Sequence, residues 1–288
     1  MAKAFVHKNS KHIYKAHEFK IQDLRVDDFM HQCKQDIDTA PGLDGWAAKD
    51  LELLSKQAFR LIVDLLNHIE QGGTWPKAML ATRVVFLCKD AKDASNPLAY
   101  RILKITSGIY RKWASTRIEN LTAWIQRWDD QALNAGVPGK GAVDAWHTTA
   151  LDIEFARANN INLAGGSIDI YKCFDQLNQS QIFALAEEAG MPRRILQPYK
   201  QYITGMQIQF QVGNTIGRPH QDTASLPQGC PFSMMMVALL LKPWISAMRE
   251  AGVTPRCLAD DLMVIATGHR HQSRYINAMI KSREFSKT

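Results

Sequence analysis

Two adjacent aspartates, Asp260 and Asp261, sit between short apolar runs in the stretch Cys257-Leu258-Ala259-Asp260-Asp261-Leu262-Met263-Val264-Ile265. Val264 and Ile265 favour strand, and so does the alternation around them. The stretch therefore predicts a strand-turn-strand hairpin with both carboxylates at its tip. Neighbouring carboxylates repel one another, so a fold that exposes them together either leaves them in water or supplies a cation. For an acidic dipeptide taken alone, the solvated turn is the ordinary outcome. What stands upstream has to decide.

With 288 residues the chain can bury a full core in one large domain or two small ones. Its hydrophobic share of 46% and charged share of 22% are ordinary for a globular protein. The formal net charge of +7 favours polyanionic partners, nucleic acid before membrane, although surface lysines alone could produce it. Cys33, Cys88, Cys173, Cys230 and Cys257 are scattered, and none stands in a cluster of zinc spacing. Reduced thiols in an intracellular protein, nuclear or cytoplasmic, are the expectation. The basic start, Met1 to Lys8, lacks the apolar core of a signal peptide. The longest apolar run, Met234 to Leu241, is too short to cross a bilayer, so no membrane partner is expected.

Residues 1–38 are mixed and charged and read as a partly helical extension stapled by Phe29 and Ile37. Pro41-Gly42-Leu43-Asp44-Gly45-Trp46 is a turn-rich knot. Leu51, Leu54, Phe59, Ile62, Val63, Leu66 and Ile69 recur at helical spacing and predict one helix from Ala47 to Ile69. Gln71-Gly72-Gly73 ends it, and Trp75-Pro76 opens the next segment. Arg83 to Lys89 and Tyr100 to Ile105 predict two strands around a polar loop, a basic hairpin. Such a ribbon is often only a sheet edge, but its Lys89, Arg101 and Lys104 could equally hold a phosphate chain.

Helices are expected from about Ile109 to Arg127 and from Ala142 to Ala156. The glycine-rich Asn134 to Gly141 between them is not a P-loop, because Gly-Lys-Ser/Thr is absent. Ala164 to Tyr171 predicts a buried strand carrying one acid, Asp169, which in such company needs a partner. Two further helices (about 179–189 and 192–203), a hairpin at Ile208 to Val212 with Gly213-Asn214, and the turn Leu226-Pro227-Gln228-Gly229 follow. An apolar helix from Met234 to about Met248 precedes the acidic hairpin, and a basic helix from about Arg270 to Glu284 comes last.

Three features thus stand in order: an acid on a strand, a Pro-Gln-Gly turn before a helix, and the acidic hairpin. Folding alone can gather Asp169 with Asp260 and Asp261. Three clustered carboxylates suit two divalent cations, with water and substrate phosphates in the remaining positions. Such a pair performs in-line displacement at phosphorus.

At these residues the chain resembles the reverse transcriptases, most closely those of LINE-type (non-LTR) retrotransposons, from about Pro41 to Gly268. Ser167-Ile168-Asp169-Ile170-Tyr171-Lys172-Cys173-Phe174-Asp175 resembles the first palm motif of that family, Leu226 to Ser233 the second, and Leu258-Ala259-Asp260-Asp261 the third. Gly42-Leu43-Asp44-Gly45 resembles its glycine-aspartate-glycine element, and Trp75 through Arg101 its fingers hairpin. The resemblance implies an α+β palm-and-fingers fold, with fingers at about 39–160 and 180–220 and palm at about 161–179 and 221–288. It implies that Asp169, Asp260 and Asp261 are catalytic and hold two Mg²⁺ ions (Mn²⁺ as an alternative), with the Ile170 carbonyl as a further ligand. Lys89 and Arg101 would grip the triphosphate, and Gln228 and Gly229 would border nucleotide and template. Phe174 would lie against the sugar and select deoxynucleotides, where RNA-templated RNA polymerases carry an aspartate; simple core packing is its other reading. Asp175 is read as structural.

The implied partners are an RNA template, a DNA primer and deoxynucleoside triphosphates. The chain departs from the family at Ile102, where proline is usual, and at Ala259, where many relatives carry an aromatic residue. It also runs only to Thr288, so a fold without a thumb, truncated after the third motif, is expected. The rival expectation is an inactive nucleic-acid-binding remnant that keeps the basic groove.

Overall fold

The computed structural model describes residues 2–35, 38–89, 93 and 95–286. Ile37 and much of the polar loop after Lys89 lie outside the described residues. Near the N-terminus, α1 (Ala2–Lys8) and α2 (Val26–Cys33) flank an extended segment, and Phe29 of α2 is fully buried. The helix expected over 47–69 is two helices, α3 (Ala48–Glu52) and α4 (Lys56–Glu70). Ser55 makes the break: its Oγ accepts the Ala58 N–H at 3.3 Å and starts a new helix. From there α4 buries Phe59, Val63, Leu66 and Ile69 on one face, as their spacing predicts.

After the single turn α5 (Lys77–Leu80), β1 (Ala81–Cys88) and β2 (Tyr100–Ile105) form the antiparallel hairpin, Leu87 opposite Arg101. The helix expected over 109–127 is also divided, into α6 (Gly108–Asn120) and α7 (Thr122–Trp128). Buried Leu121 sits at the joint, its N–H shared between the carbonyls of Arg117 and Ile118. Next come α8 (Ala142–Ala158), β3 (Leu163–Asp169), α9 (Cys173–Gln176), α10 (Gln179–Glu188) and α11 (Arg193–Gly205). The hairpin of β4 (Gln207–Val212) and β5 (Thr215–Ile216) turns at Gly213-Asn214. The order continues through α12 (Pro231–Glu250), β6 (Thr254–Leu258) and β7 (Asp261–Thr267) to α13 (His271–Ser286).

These strands form two sheets. One has the order β2-β1-β4-β5, in which β4 joins β1 in parallel with Val84 opposite Phe210. The other is antiparallel, in the order β3-β7-β6. The strand carrying Asp169 is therefore not buried, as the flanking isoleucines suggest, but an edge strand. Ile168 packs against the core while Gly165, Ser167 and Asp169 are exposed. Successive side chains of a strand point to opposite faces, and Asp169 falls on the face that the core leaves open, so the acid keeps contact with water without needing an ion-pair partner.

Trp75 ties α6 to α11. Its ring meets Tyr110, Trp113 and Tyr202 edge-on at 5.6, 5.3 and 5.2 Å, and its Nε1 donates to the Pro198 carbonyl of α11 at 2.8 Å. A buried carboxylate, Glu70, fixes the neighbouring layer by accepting from Trp113 Nε1 at 2.8 Å and from Arg117 through two bonds of 2.6 and 2.5 Å. The 20-residue α12 is long and apolar enough to cross a membrane, contrary to the short run read from sequence, but 67% of its apolar window is buried within the fold, the position of a core helix.

Candidate active site

The turn between β6 and β7 consists of Ala259 and Asp260, with Leu258 opposite Asp261 closing it. Asp261 also stands directly opposite Asp169 on β3. Opposed residues in an antiparallel pair share a face, with Cβ atoms about 4.5–5.5 Å apart. Asp260 joins them through its backbone, its carbonyl accepting the Ile170 N–H at 3.3 Å. The three acids predicted to meet are thus held at one end of one sheet. Among the described residues, none of the three carboxylates has an ion-pair or side-chain hydrogen-bond partner.

Ala259 occupies the turn at φ +54°, a left-handed conformation that costs a residue with a Cβ about 1–2 kcal/mol. Ala259→Gly should raise stability by about 0.5–1 kcal/mol in urea melts, the gain being partly offset by glycine's greater unfolded freedom. A loss of stability would show the turn to be unstrained.

Buried Cys173, at the start of α9, reports on the electrostatics. Burial pushes its thiol up to about 12, and the carboxylates of Asp260, Asp169 and Asp175 add to the rise in that order. Asp175 therefore belongs to the same electrostatic neighbourhood, although its sequence context reads as structural. Among the described residues no three His, Cys, Asp or Glu side chains close on a ready-made metal cage. The donor chemistry nonetheless fits hard divalent cations: the acids offer only oxygen, and among the described residues none of them is held in an ion pair. The Ile170 carbonyl accepts the Cys173 N–H at 3.1 Å and keeps one lone pair for a further ligand.

The Pro-Gln-Gly turn is connected to this end of the sheet through α9. The Leu226 N–H donates to the Phe174 carbonyl, and the Ser225 N–H to the Leu177 carbonyl, both at 2.9 Å. Phe174 is half-buried, its ring packed against the core. Gly229 adopts φ +92°, and nothing lies within 4 Å of where a Cβ would stand. Glycine is thus demanded by backbone conformation, and the space before the turn is open. Gln228 beside it is half-buried. Lys89 and Arg101 belong to the other sheet, both exposed on the outer half of the β1–β2 hairpin, and neither bonds to the three acids.

The glycine-rich segment before α8 carries more than its sequence suggests. The Asn134 N–H donates to the Cys257 carbonyl at 2.8 Å, and the Cys257 N–H to the Ala132 carbonyl at 2.7 Å, so the segment extends the three-stranded sheet past β6. Gly136 presses on α12, where a Cβ would lie 2.2 Å from the Met234 carbonyl oxygen. Its anchor is Asp130, which accepts two bonds from Arg249 (2.7 and 2.5 Å) and one from Lys242 (3.0 Å). No local pattern marks Asp130 as an anchor, since its cationic partners lie more than a hundred residues away. Burial alone would raise its carboxyl, but the Arg249 bonds, the Ala132 N–H and Lys242 override burial and hold it down at about 2.

A carboxyl depressed on folding stabilises the native state above its unfolded value, and that contribution is lost as pH falls through the folded value. The wild-type chain should therefore lose about 2 kcal/mol more than Asp130→Asn between pH 6 and pH 2 in denaturant melts. Parallel pH curves for the two chains would contradict this.

A mixed α/β fold that presents uncompensated carboxylates on a hairpin tip, tied through one short helix to an open glycine turn, belongs to a class: the nucleotidyltransferases with a polymerase palm-like fold. Residues 90–286 match the family model described as "Reverse transcriptase (RNA-dependent DNA polymerase)". That span is more than half of the chain, and the chain belongs to this family of RNA-directed DNA polymerases. Members act on a nucleic acid template and primer with deoxynucleoside triphosphates and use divalent metal ions. The matched span holds every candidate residue named above except Lys89. Comparison with curated proteins gave no match.

Proposed function

We propose that this chain is the reverse transcriptase domain of a LINE-type (non-LTR) retrotransposon, copying RNA by adding deoxynucleotides to a primer 3′-hydroxyl. The observation that carries the chemistry is the register that sets Asp169 opposite Asp261, with the Asp260 turn stitched to Ile170 and no cation of the protein among them. Asp169, Asp260 and Asp261, with the Ile170 carbonyl, hold two Mg²⁺ ions. Bound there, such ions activate the attacking hydroxyl and stabilise the leaving pyrophosphate.

The other residues position the substrate. Lys89 and Arg101 take the triphosphate, the planar guanidinium offering paired donors to phosphate oxygens. Gln228 and Gly229 border the nucleotide in the open space before their turn. Phe174 excludes a 2′-hydroxyl. The β1–β2 hairpin and its neighbours (about 39–160 and 180–220) are the fingers, and the three-stranded sheet with α12 and α13 (about 161–179 and 221–288) is the palm.

The test is extension of oligo-dT on poly-rA with dTTP and Mg²⁺ by the purified chain. Mg²⁺-dependent incorporation is the expected result. Binding of primer-template without incorporation would favour the rival, an inactive nucleic-acid-binding remnant, whose binding is equally salt-sensitive.

A further inference from the structure

Lys104 sits on β2 three residues beyond Arg101, and unlike Arg101 it is 8% exposed. Its ammonium lies 2.5 Å from Asp222 Oδ2 and 2.5 Å from Ser225 Oγ, and the serine hydroxyl donates to the same carboxylate at 3.3 Å. Ser225 is buried and held at φ +82°, a conformation that a residue with a Cβ keeps only under external constraint. From this point two backbone bonds reach α9 and its flank, Ser225 N–H to the Leu177 carbonyl and Leu226 N–H to the Phe174 carbonyl. Gln179 Nε2 closes the arrangement on the Ser225 carbonyl at 3.0 Å. A continuous run of hydrogen bonds therefore leads from the strand of Arg101 through the 222–226 segment to the backbone of Phe174 in α9.

We infer that Lys104 is a positioning residue for sugar discrimination: its clamp on Asp222 and Ser225 fixes the Phe174 ring relative to the triphosphate-holding strand β2. The inference rests on the polymerase reading above and deepens it. The Lys104 ammonium is buried against Asp222 and Ser225, so Lys104 takes no part in the phosphate grip that its place on the hairpin suggests. With the clamp in place, the space between the β2 grip and the ring admits a deoxyribose. Without the ammonium, the 222–226 segment is free to retreat, Phe174 retreats with it, and the extra hydroxyl of a ribonucleotide finds room.

The test compares kcat/KM for dTTP and UTP on poly-rA/oligo-dT with the full chain. Lys104→Met, which keeps the apolar stem, should lower the dTTP-to-UTP ratio about tenfold, chiefly by a fall in the KM for UTP. The kcat for dTTP should stay within about threefold. Lys104→Arg, which keeps the cation, should restore most of the ratio. Asp222→Asn attacks the same clamp at a side chain 33% exposed, and it serves if the methionine variant fails to fold. A merely structural lysine would lower incorporation of both nucleotides in proportion, so a folded variant with an unchanged ratio overturns the inference alone. A wild-type chain that incorporates neither nucleotide while binding primer-template overturns the polymerase reading and this inference with it.

Discussion

Replacing Asp260 with alanine should lower incorporation of dTTP on poly-rA/oligo-dT by about a thousandfold or more, a loss near 4 kcal/mol of transition-state stabilisation. The size follows from the site. Three carboxylates without a compensating side chain leave charge balance to bound cations, and removing the acid in the turn leaves Asp169 and Asp261 as an incomplete pair of ligands. The backbone bond from Ile170 to residue 260 needs no side chain, so the hairpin should persist. Affinity for primer-template should hold or rise slightly, because the substitution removes a negative charge facing a polyanion. The slope of binding against salt should be unchanged, since no phosphate contact is lost. A variant that keeps a tenth or more of wild-type activity would remove Asp260 from the catalytic set.

Phe174→Val should lower the dTTP-to-UTP ratio of kcat/KM about a hundredfold, the largest change in specificity expected from any single residue here. The ring is half-buried, and its backbone is fixed by the Leu226 N–H, so truncation empties space at the side chain without displacing α9. A rigid wall of this kind discriminates by clash, and removing the wall relieves the clash for the ribonucleotide while leaving the deoxynucleotide almost untouched. Stability should fall by about 1 kcal/mol, as for partial loss of a packed ring. If the ratio moves less than threefold while stability falls, Phe174 is a packing residue only.

How far the chain could be read without its structure depended on range. The acidic hairpin, the basic hairpin and the Gly213-Asn214 turn are local patterns, and the structure contains all three. Apolar periodicity does not reveal the two helix breaks, because it runs straight through the Ser55 cap and the buried Leu121 joint without a change in the hydrophobic pattern. Flanking isoleucines show that β3 has an apolar face, but not that its other face, with Asp169, is open to water. The features that no local pattern marks, the cations on Asp130, the Asp222 and Ser225 partners of Lys104 and the parallel pairing of β1 with β4, depend on residues far away in the chain. Nothing within a window of twenty residues announces them.

The parallel pairing has a consequence for how this molecule is made. A strand of the three-stranded sheet, β3, lies in sequence between β1 and β4 of the other sheet. The β1–β2 ribbon can close early, but its third member arrives only after α8 through α11 have been laid down. Each sheet is thus completed only after strands of the other have been laid down, which raises the mean sequence separation of the contacts and slows folding. The two sheets are interleaved in the chain rather than strung in series. Cutting between them removes β4 from its partner, so neither can be exchanged as a cassette, and mutational change in one is constrained by the chain path of the other.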